Sequence, residues 1–322
     1  MDVLIIKLGA LGDVINTLPL AIRLKEHLSA RVHWVTEPLS FPLLSRHSHV
    51  DEVILFERHQ WMHSLPGLVR TLRQTRFDMA FDLQRIAKAA LLCMASRSSR
   101  RIGFDRARCK EMTWIMPFER IAPADPSRHM VKQYLEFAEH LGIPEDEPVW
   151  DIPRGDPVGM ALPESYVVLN VGATKPANRW KAERFAALAD LIMERYHLPS
   201  VLTGASEDTS IAGQIVKQSK AEVIDLTGRT TIMELVTVIG RAKAMVSCDT
   251  GPMHLAAALG KDVVALFGPA DPRRTGPYRG HVIRKPFACS PCNKKICTDP
   301  VCMDAVLPVD VMEKLELIFK KG

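Results

Sequence analysis

The chain is expected to be an α/β protein made of two doubly wound halves, each with a parallel sheet, and three observations predict this. Short apolar runs of strand length alternate with helical stretches in both halves of the 322-residue chain. The first apolar run enters a glycine-bearing turn, Gly9-Ala10-Leu11-Gly12-Asp13, and then a helical pattern, which is how nucleotide-binding sheets begin. Between Pro144 and Glu164 the alternation stops in a stretch rich in proline and acidic residues. The boundary drawn there gives domains 1–155 and 156–322, each long enough for a core of its own.

In the first half, residues 3–7 read as a buried strand, and Ile15, Leu18 and Ile22 fall on one face of the helix after the turn. Pro19 in that pattern implies a kink, or a helix that starts nearer Asn16. Strands follow over 32–36, 53–56 and 79–83, and helices over 65–74, 86–95 and 130–141, the last stopped by Gly142 and Pro144. The second half repeats the alternation, with strands over 166–170, 200–203, 223–226, 244–247 and 263–267. Its helices are expected over 182–196, 206–218, 232–241, 253–259 and 309–320. Helices between successive strands imply parallel pairing with both sheet faces covered.

Composition narrows the class. At 47% hydrophobic and 25% charged residues the chain is neither disordered nor fibrous. Met1 to Lys7 has an acidic second residue and a short apolar run, unlike a secretory signal, and no run approaches the ~20 apolar residues of a membrane span. A cytoplasmic location is therefore expected. The net charge of +5 favours an anionic partner, yet the basic residues are scattered and form no nucleic-acid-binding motif. Their densest group, Arg97, Arg100, Arg101, Arg106, Arg108 and Lys110, reads either as a solvated face or as a patch for an anionic acceptor.

Two stretches point to chemistry. Ser247 to Gly260 takes an apolar strand into a short helix bracketed by Pro252 and Gly260. The free amides and positive dipole at such a helix start can hold a diphosphate without a metal, with His254 adding a donor. Asp249 and Thr250 read equally well as ordinary helix caps, and so does Asp13 at the first glycine turn. The glycines fit neither the three-glycine dinucleotide fingerprint nor a P-loop, which argues against a nicotinamide-dependent dehydrogenase. No D-x-D pair is present to suggest a catalytic Mg2+.

The run Asp249-Thr250-Gly251-Pro252-Met253-His254-Leu255-Ala256-Ala257-Ala258-Leu259-Gly260 resembles the D-[ST]-G-x-x-H-x-A-x-A-L-G signature of the ADP-heptose:lipopolysaccharide heptosyltransferases, glycosyltransferase family 9. Lys7 to Pro19 resembles that family's K-x-x-x-[LI]-G-D-x-x-x-T-x-P opening. The resemblance implies a GT-B layout, two Rossmann-like domains facing each other across a cleft, with the acceptor on the first, the ADP-sugar on the second and a last helix that crosses back. It implies inverting transfer of heptose from ADP-L-glycero-D-manno-heptose to the Kdo/heptose inner core of lipopolysaccharide, with Asp13 as general base. An unpaired, partly desolvated carboxylate would serve best there.

On the donor side the resemblance implicates Thr174, Asn178, Arg179, Glu207, Thr230, Asp249, Thr250, Gly251 and His254. Asn178 stands where the family has lysine and Lys181 where it has proline, so Lys175, Arg179 or Lys181 must supply the positive charge, and Arg179 is the one expected to do so. On the acceptor side it implicates Lys7, Gln84, Arg101 and His129, with Gln133 and Tyr134 as further landmarks. Kdo2-lipid A or a heptosylated core would be the acceptor, which brings peripheral contact with the inner membrane face.

Cys93, Cys109 and Cys248 read as buried small apolar residues. Cys289, Cys292, Cys297 and Cys302 form a C-x2-C-x4-C-x4-C segment over 289–302, suited to a structural zinc, to disulfides or to free thiols, with zinc expected first. No cofactor is expected to be needed for catalysis. The rival readings are the same fold with another nucleotide-sugar donor and a non-catalytic, zinc-dependent interaction protein.

Overall fold

The computed structural model describes residues 1–57 and 60–320. The chain divides into two compact units, Met1–Pro153 and Arg154–Gly322.

The first unit holds strands β1 (Asp2–Ile6), β2 (Arg31–Thr36), β3 (Glu52–Leu55), β4 (Met79–Asp82), β5 (Arg100–Gly103) and β6 (Glu119–Arg120). They pair in parallel in the order β3-β2-β1-β4-β5-β6. Val3, Leu4, Ile5 and Ile6 are buried because helices cover both faces of the sheet. The helix Leu11–Leu28 runs unbroken through Pro19, so it starts a turn earlier than the proline suggested. Its residues Leu11 to Leu24 are buried apart from Asp13, and this packing holds the helix together across the missing proline N–H.

The second unit repeats this plan with β7 (Val167–Asn170), β8 (Ser200–Thr203), β9 (Val223–Asp225), β10 (Ala244–Cys248), β11 (Val263–Phe267) and β12 (His281–Arg284). Their order is β12-β11-β10-β7-β8-β9, again all parallel. Counted from its own first strand, each sheet reads 3-2-1-4-5-6, the Rossmann order. In each sheet the chain switches direction between its first and fourth strands. Loops at the carboxyl ends of those two strands flank a crevice, the place where open α/β sheets take ligands.

The last helix, Pro308–Phe319, packs against the core of the second unit. Val311, Leu315 and Ile318 are buried in the second unit's core, and Glu316 pairs with Arg195 at 2.9 Å on the helix Ala182–Tyr196. With its apolar face spent there, the helix belongs to the second unit.

Candidate active site

At the switch point of the first sheet, the helix Leu11–Leu28 starts just beyond β1 and carries Asp13 in its first turn. Ala10 occupies the cap position, so Asp13 is not a cap. Its carboxylate, 39% exposed, accepts from Lys7 Nζ at 3.0 Å and from the Tyr134 hydroxyl at 3.3 Å. The expectation of an unpaired base is thereby corrected: the carboxylate is gripped by two donors and still open on one side.

Lys7, expected to touch the acceptor, is only 2% exposed and serves Asp13 instead. Burial works against its charge, but the attraction of Asp13 and Tyr134 outweighs this and holds its pKa above the usual lysine value. Burial and the nearby Asp13 raise the Tyr134 phenol in turn, while Lys7 and Arg85 pull it back.

The carboxyl end of β4 completes this corner. Asp82 is buried and accepts the backbone N–H groups of Gln84 and Arg85 at 3.2 and 3.1 Å, folding a tight turn. Burial pushes its pKa up to about 6. Gln84 uses its side-chain oxygen to hold the Leu8 N–H at 3.1 Å, which ties the β1 turn to the β4 turn. Sequence reasoning put Gln84 at the acceptor but did not single out Arg85 beside it. Arg101 lies on β5 with Nη1 against Met94 Sδ at 3.1 Å. His129 caps the helix Met130–His140, accepting from the Val131 N–H at 3.2 Å.

The second unit's switch point is organised around buried Asn170 at the end of β7. Its Nδ2 donates to the Ser247 and Thr250 hydroxyls, both at 3.2 Å, and its Oδ1 accepts from Thr203 at 3.3 Å. Thr250 sits at the cap position of the helix Gly251–Ala258, but its hydroxyl is turned to Asn170 and Ser247 and caps nothing. The ordinary-cap reading of Thr250 therefore fails. Gly251 is half-buried and His254 buried. Gly260 ends this segment at φ +70°, a backbone shape that suits glycine.

Around this helix start, Thr174 and Glu207 are exposed and Thr230 is half-buried. Asn178 is buried, with Nδ2 donating to Asp249 at 3.2 Å and Oδ1 without a hydrogen-bond partner among the described residues. Arg179 pairs with buried Asp208 at 3.2 Å and Lys181 with Asp304 at 2.9 Å. Lys175 holds no carboxylate among the described residues, so of the three cations it keeps the least compensated charge. Arg179, the cation expected to meet the diphosphate, keeps an exposed side chain beside its ion pair. Asp208, which the sequence did not single out, also accepts from the Ala205 N–H at 3.0 Å and packs under Gly172, where a Cβ would meet its carboxylate at 2.4 Å.

The cysteines expected to hold a structural zinc lie in the loop before the short helix Val301–Asp304 and at its start. Cys289 is exposed, Cys302 is buried beside Met303, and the Cys297 thiol faces the Asp299 carbonyl at 3.3 Å. Among the described residues no three His, Cys, Asp or Glu side chains gather as metal ligands would, and all seven cysteines are unpaired. Within the segment the Lys295 carbonyl holds the Ala177 N–H at 3.1 Å, and beyond it the Val306 carbonyl holds Trp180 Nε1 at 2.9 Å. Of the dispersed cysteines, Cys93 and Cys248 are buried, the latter with its pKa pushed up to about 12 by burial, while Cys109 is only half-buried.

The sequence profile of glycosyltransferase family 9 (heptosyltransferase) matches residues 66–302, about three quarters of the chain. The chain belongs to glycosyltransferase family 9. As a member it is a glycosyltransferase, and its relatives agree. It is 28% identical to lipopolysaccharide heptosyltransferase 1 of Pseudomonas aeruginosa, over 98% of this chain and 97% of that protein. It is 25% identical to the lipopolysaccharide core heptosyltransferase OpsX of Haemophilus influenzae, over 85% and 81%. Its fold is shared with the E. coli heptosyltransferase WaaC solved with ADP, at a TM-score of 0.81 and 23% identity over 99% of this chain and 100% of that one. E. coli ADP-heptose lps heptosyltransferase II superposes at 0.80, with 24% identity over 100% and 99%. No helix among the described residues of this family 9 enzyme is long and apolar enough to cross a membrane.

Proposed function

We propose that the enzyme transfers L-glycero-D-manno-heptose from ADP to the Kdo/heptose inner core of lipopolysaccharide, with inversion and with Asp13 as general base. The observation that carries this reading is the Asp13 carboxylate, held by Lys7 and Tyr134 at a sheet switch point while one side stays open. In the reaction the acceptor oxygen attacks the anomeric carbon and its proton passes to the Asp13 carboxylate. The bond from that carbon to the diphosphate breaks, and ADP leaves with the electron pair.

The second unit would supply the donor site. The first-turn amides of the helix Gly251–Ala258, not capped by Thr250, suit the diphosphate oxygens, and Lys175 suits the charge that grows on them as the bond breaks. The first unit would supply the acceptor site. The exposed side chains of Met112, Trp114 and Ile115, close to Arg106 and Lys110 in the chain, suit the surface of a membrane that holds a lipid-linked acceptor.

Asp13→Ala is expected to lower kcat by about 100-fold or more while ADP binds within about twofold of the wild-type affinity. Turnover with purified ADP-heptose and calorimetric titration of ADP measure the two quantities. Equal loss of both would reduce Asp13 to a structural role.

A further inference from the structure

Arg85 stands apart from every other buried cation of the first unit. It follows β4 in the turn made by Asp82 and Gln84, it is 9% exposed, and its backbone lies at φ +64°, a region that favours glycine. Such a conformation is kept by an arginine only where the surroundings or a function hold it. Its guanidinium carbon lies 4.8 Å from the centre of the Phe104 ring. Arg108 packs on the same ring at 5.0 Å, but Arg108 is matched by two carboxylates, those of Asp105 and Glu136.

Arg85 has no such match. Its Nε is sealed from solvent without a partner, and neither Nη nitrogen makes a hydrogen bond or ion pair among the described residues. The Nη pair keeps contact with solvent, since only Nε is sealed. The carboxylates of its corner are engaged elsewhere, Asp82 with two backbone N–H groups and Asp13 with Lys7 and Tyr134. A guanidinium desolvated to this degree without an anion is costly unless an anion arrives to complete it.

We infer that Arg85 is the docking point for an anionic group of the sugar acceptor, a carboxylate or a phosphate held by its two free Nη nitrogens, across the Phe104 and Tyr134 rings from Asp13. The planar fork of a guanidinium matches either oxyanion through two parallel hydrogen bonds, and the Phe104 ring fixes the plane in which the fork lies. An anion anchored there would orient the acceptor sugar, so that one hydroxyl is offered to Asp13. This rests on the reading of the first unit as the acceptor side.

The test compares wild type, Arg85→Gly and Arg85→Lys in NMR titrations of the full chain with three probes: Kdo, glucose 6-phosphate and neutral glucose. The wild type is expected to prefer one anionic sugar over glucose by about 10-fold or more, and which one it prefers separates carboxylate from phosphate. Arg85→Gly should lose that preference with an unchanged or higher Tm, because glycine is at ease at this φ, and Arg85→Lys should keep part of it. Equal affinities in wild type and Arg85→Gly, or a wild type indifferent to both anions, would overturn the inference. Anion preference lost in Arg85→Gly while no variant transfers heptose from ADP-heptose would instead count against the donor and reaction proposed above.

Discussion

Asp82 holds its proton to about pH 6, whereas an aspartate in the unfolded chain releases it near pH 4. Between those values the folded protein binds more protons than the unfolded one, so this residue makes stability fall as pH rises through that window. A shift of about two units corresponds to at most about 3 kcal/mol. Asp82→Asn keeps an oxygen for the Gln84 and Arg85 N–H groups and has nothing to titrate. Urea unfolding between pH 4 and pH 7 should therefore show the wild type losing stability relative to Asp82→Asn as pH rises. Parallel curves would mean that Asp82 titrates alike in both states. Asp13 was legible in the sequence because its motif names it, and Lys7 was legible as part of the same string. The roles were not. The Lys7–Asp13 pair closes within six residues, but the Tyr134 hydroxyl on the same carboxylate and the Gln84 bond to the Leu8 N–H join parts of the chain far apart in sequence, which no local pattern records.

Among the elements, the loop between β7 and the helix Ala182–Tyr196 is tightly constrained. Gly172 lies so close to Asp208 that a methyl group would sit 2.4 Å from the carboxylate, and Asp208 in turn holds both Ala205 and Arg179. Gly172→Ala is expected to cost about 1–3 kcal/mol in chemical denaturation and to weaken ADP binding, since it forces apart the loops that carry Arg179 and Glu207. An alanine variant with unaltered stability would show that Asp208 can move freely. The helices Ala182–Tyr196 and Ile232–Arg241 were read from sequence to the residue, because each has one apolar face and clear ends. Strands β5 and β6 were missed because they are short and rich in charge, with Arg100 pairing Glu119 at 2.8 Å across their outer edge. Pro19 in the helix Leu11–Leu28 predicts a kink or a later start when weighed by its local cost, and the burial around it allows a helix that begins at Leu11.

At the scale of the whole chain, each unit has its own buried cluster, one around Leu4, Ile6, Phe77 and Ala80, the other around Leu169, Phe185, Val246 and Leu266. Residues 154–322 expressed alone are therefore expected to fold cooperatively and to bind ADP within about tenfold of the full chain. Circular dichroism and calorimetry check this, and a fragment that melts without a transition would refute it. The two-half organisation was visible in the repeated alternation and the proline-rich break. The identical strand order of the halves was not, because order is fixed by which crossovers are taken.

That shared order has a consequence for how such an enzyme can diversify. The residues suited to recognising the sugar that receives the transfer, and those suited to gripping the nucleotide, ride on separately cored platforms. On the proposed assignment, substitutions can accumulate at the turn after β4, Arg85 among them, without touching the residues suited to the leaving group. A lineage built this way is free to change its customers while keeping one currency.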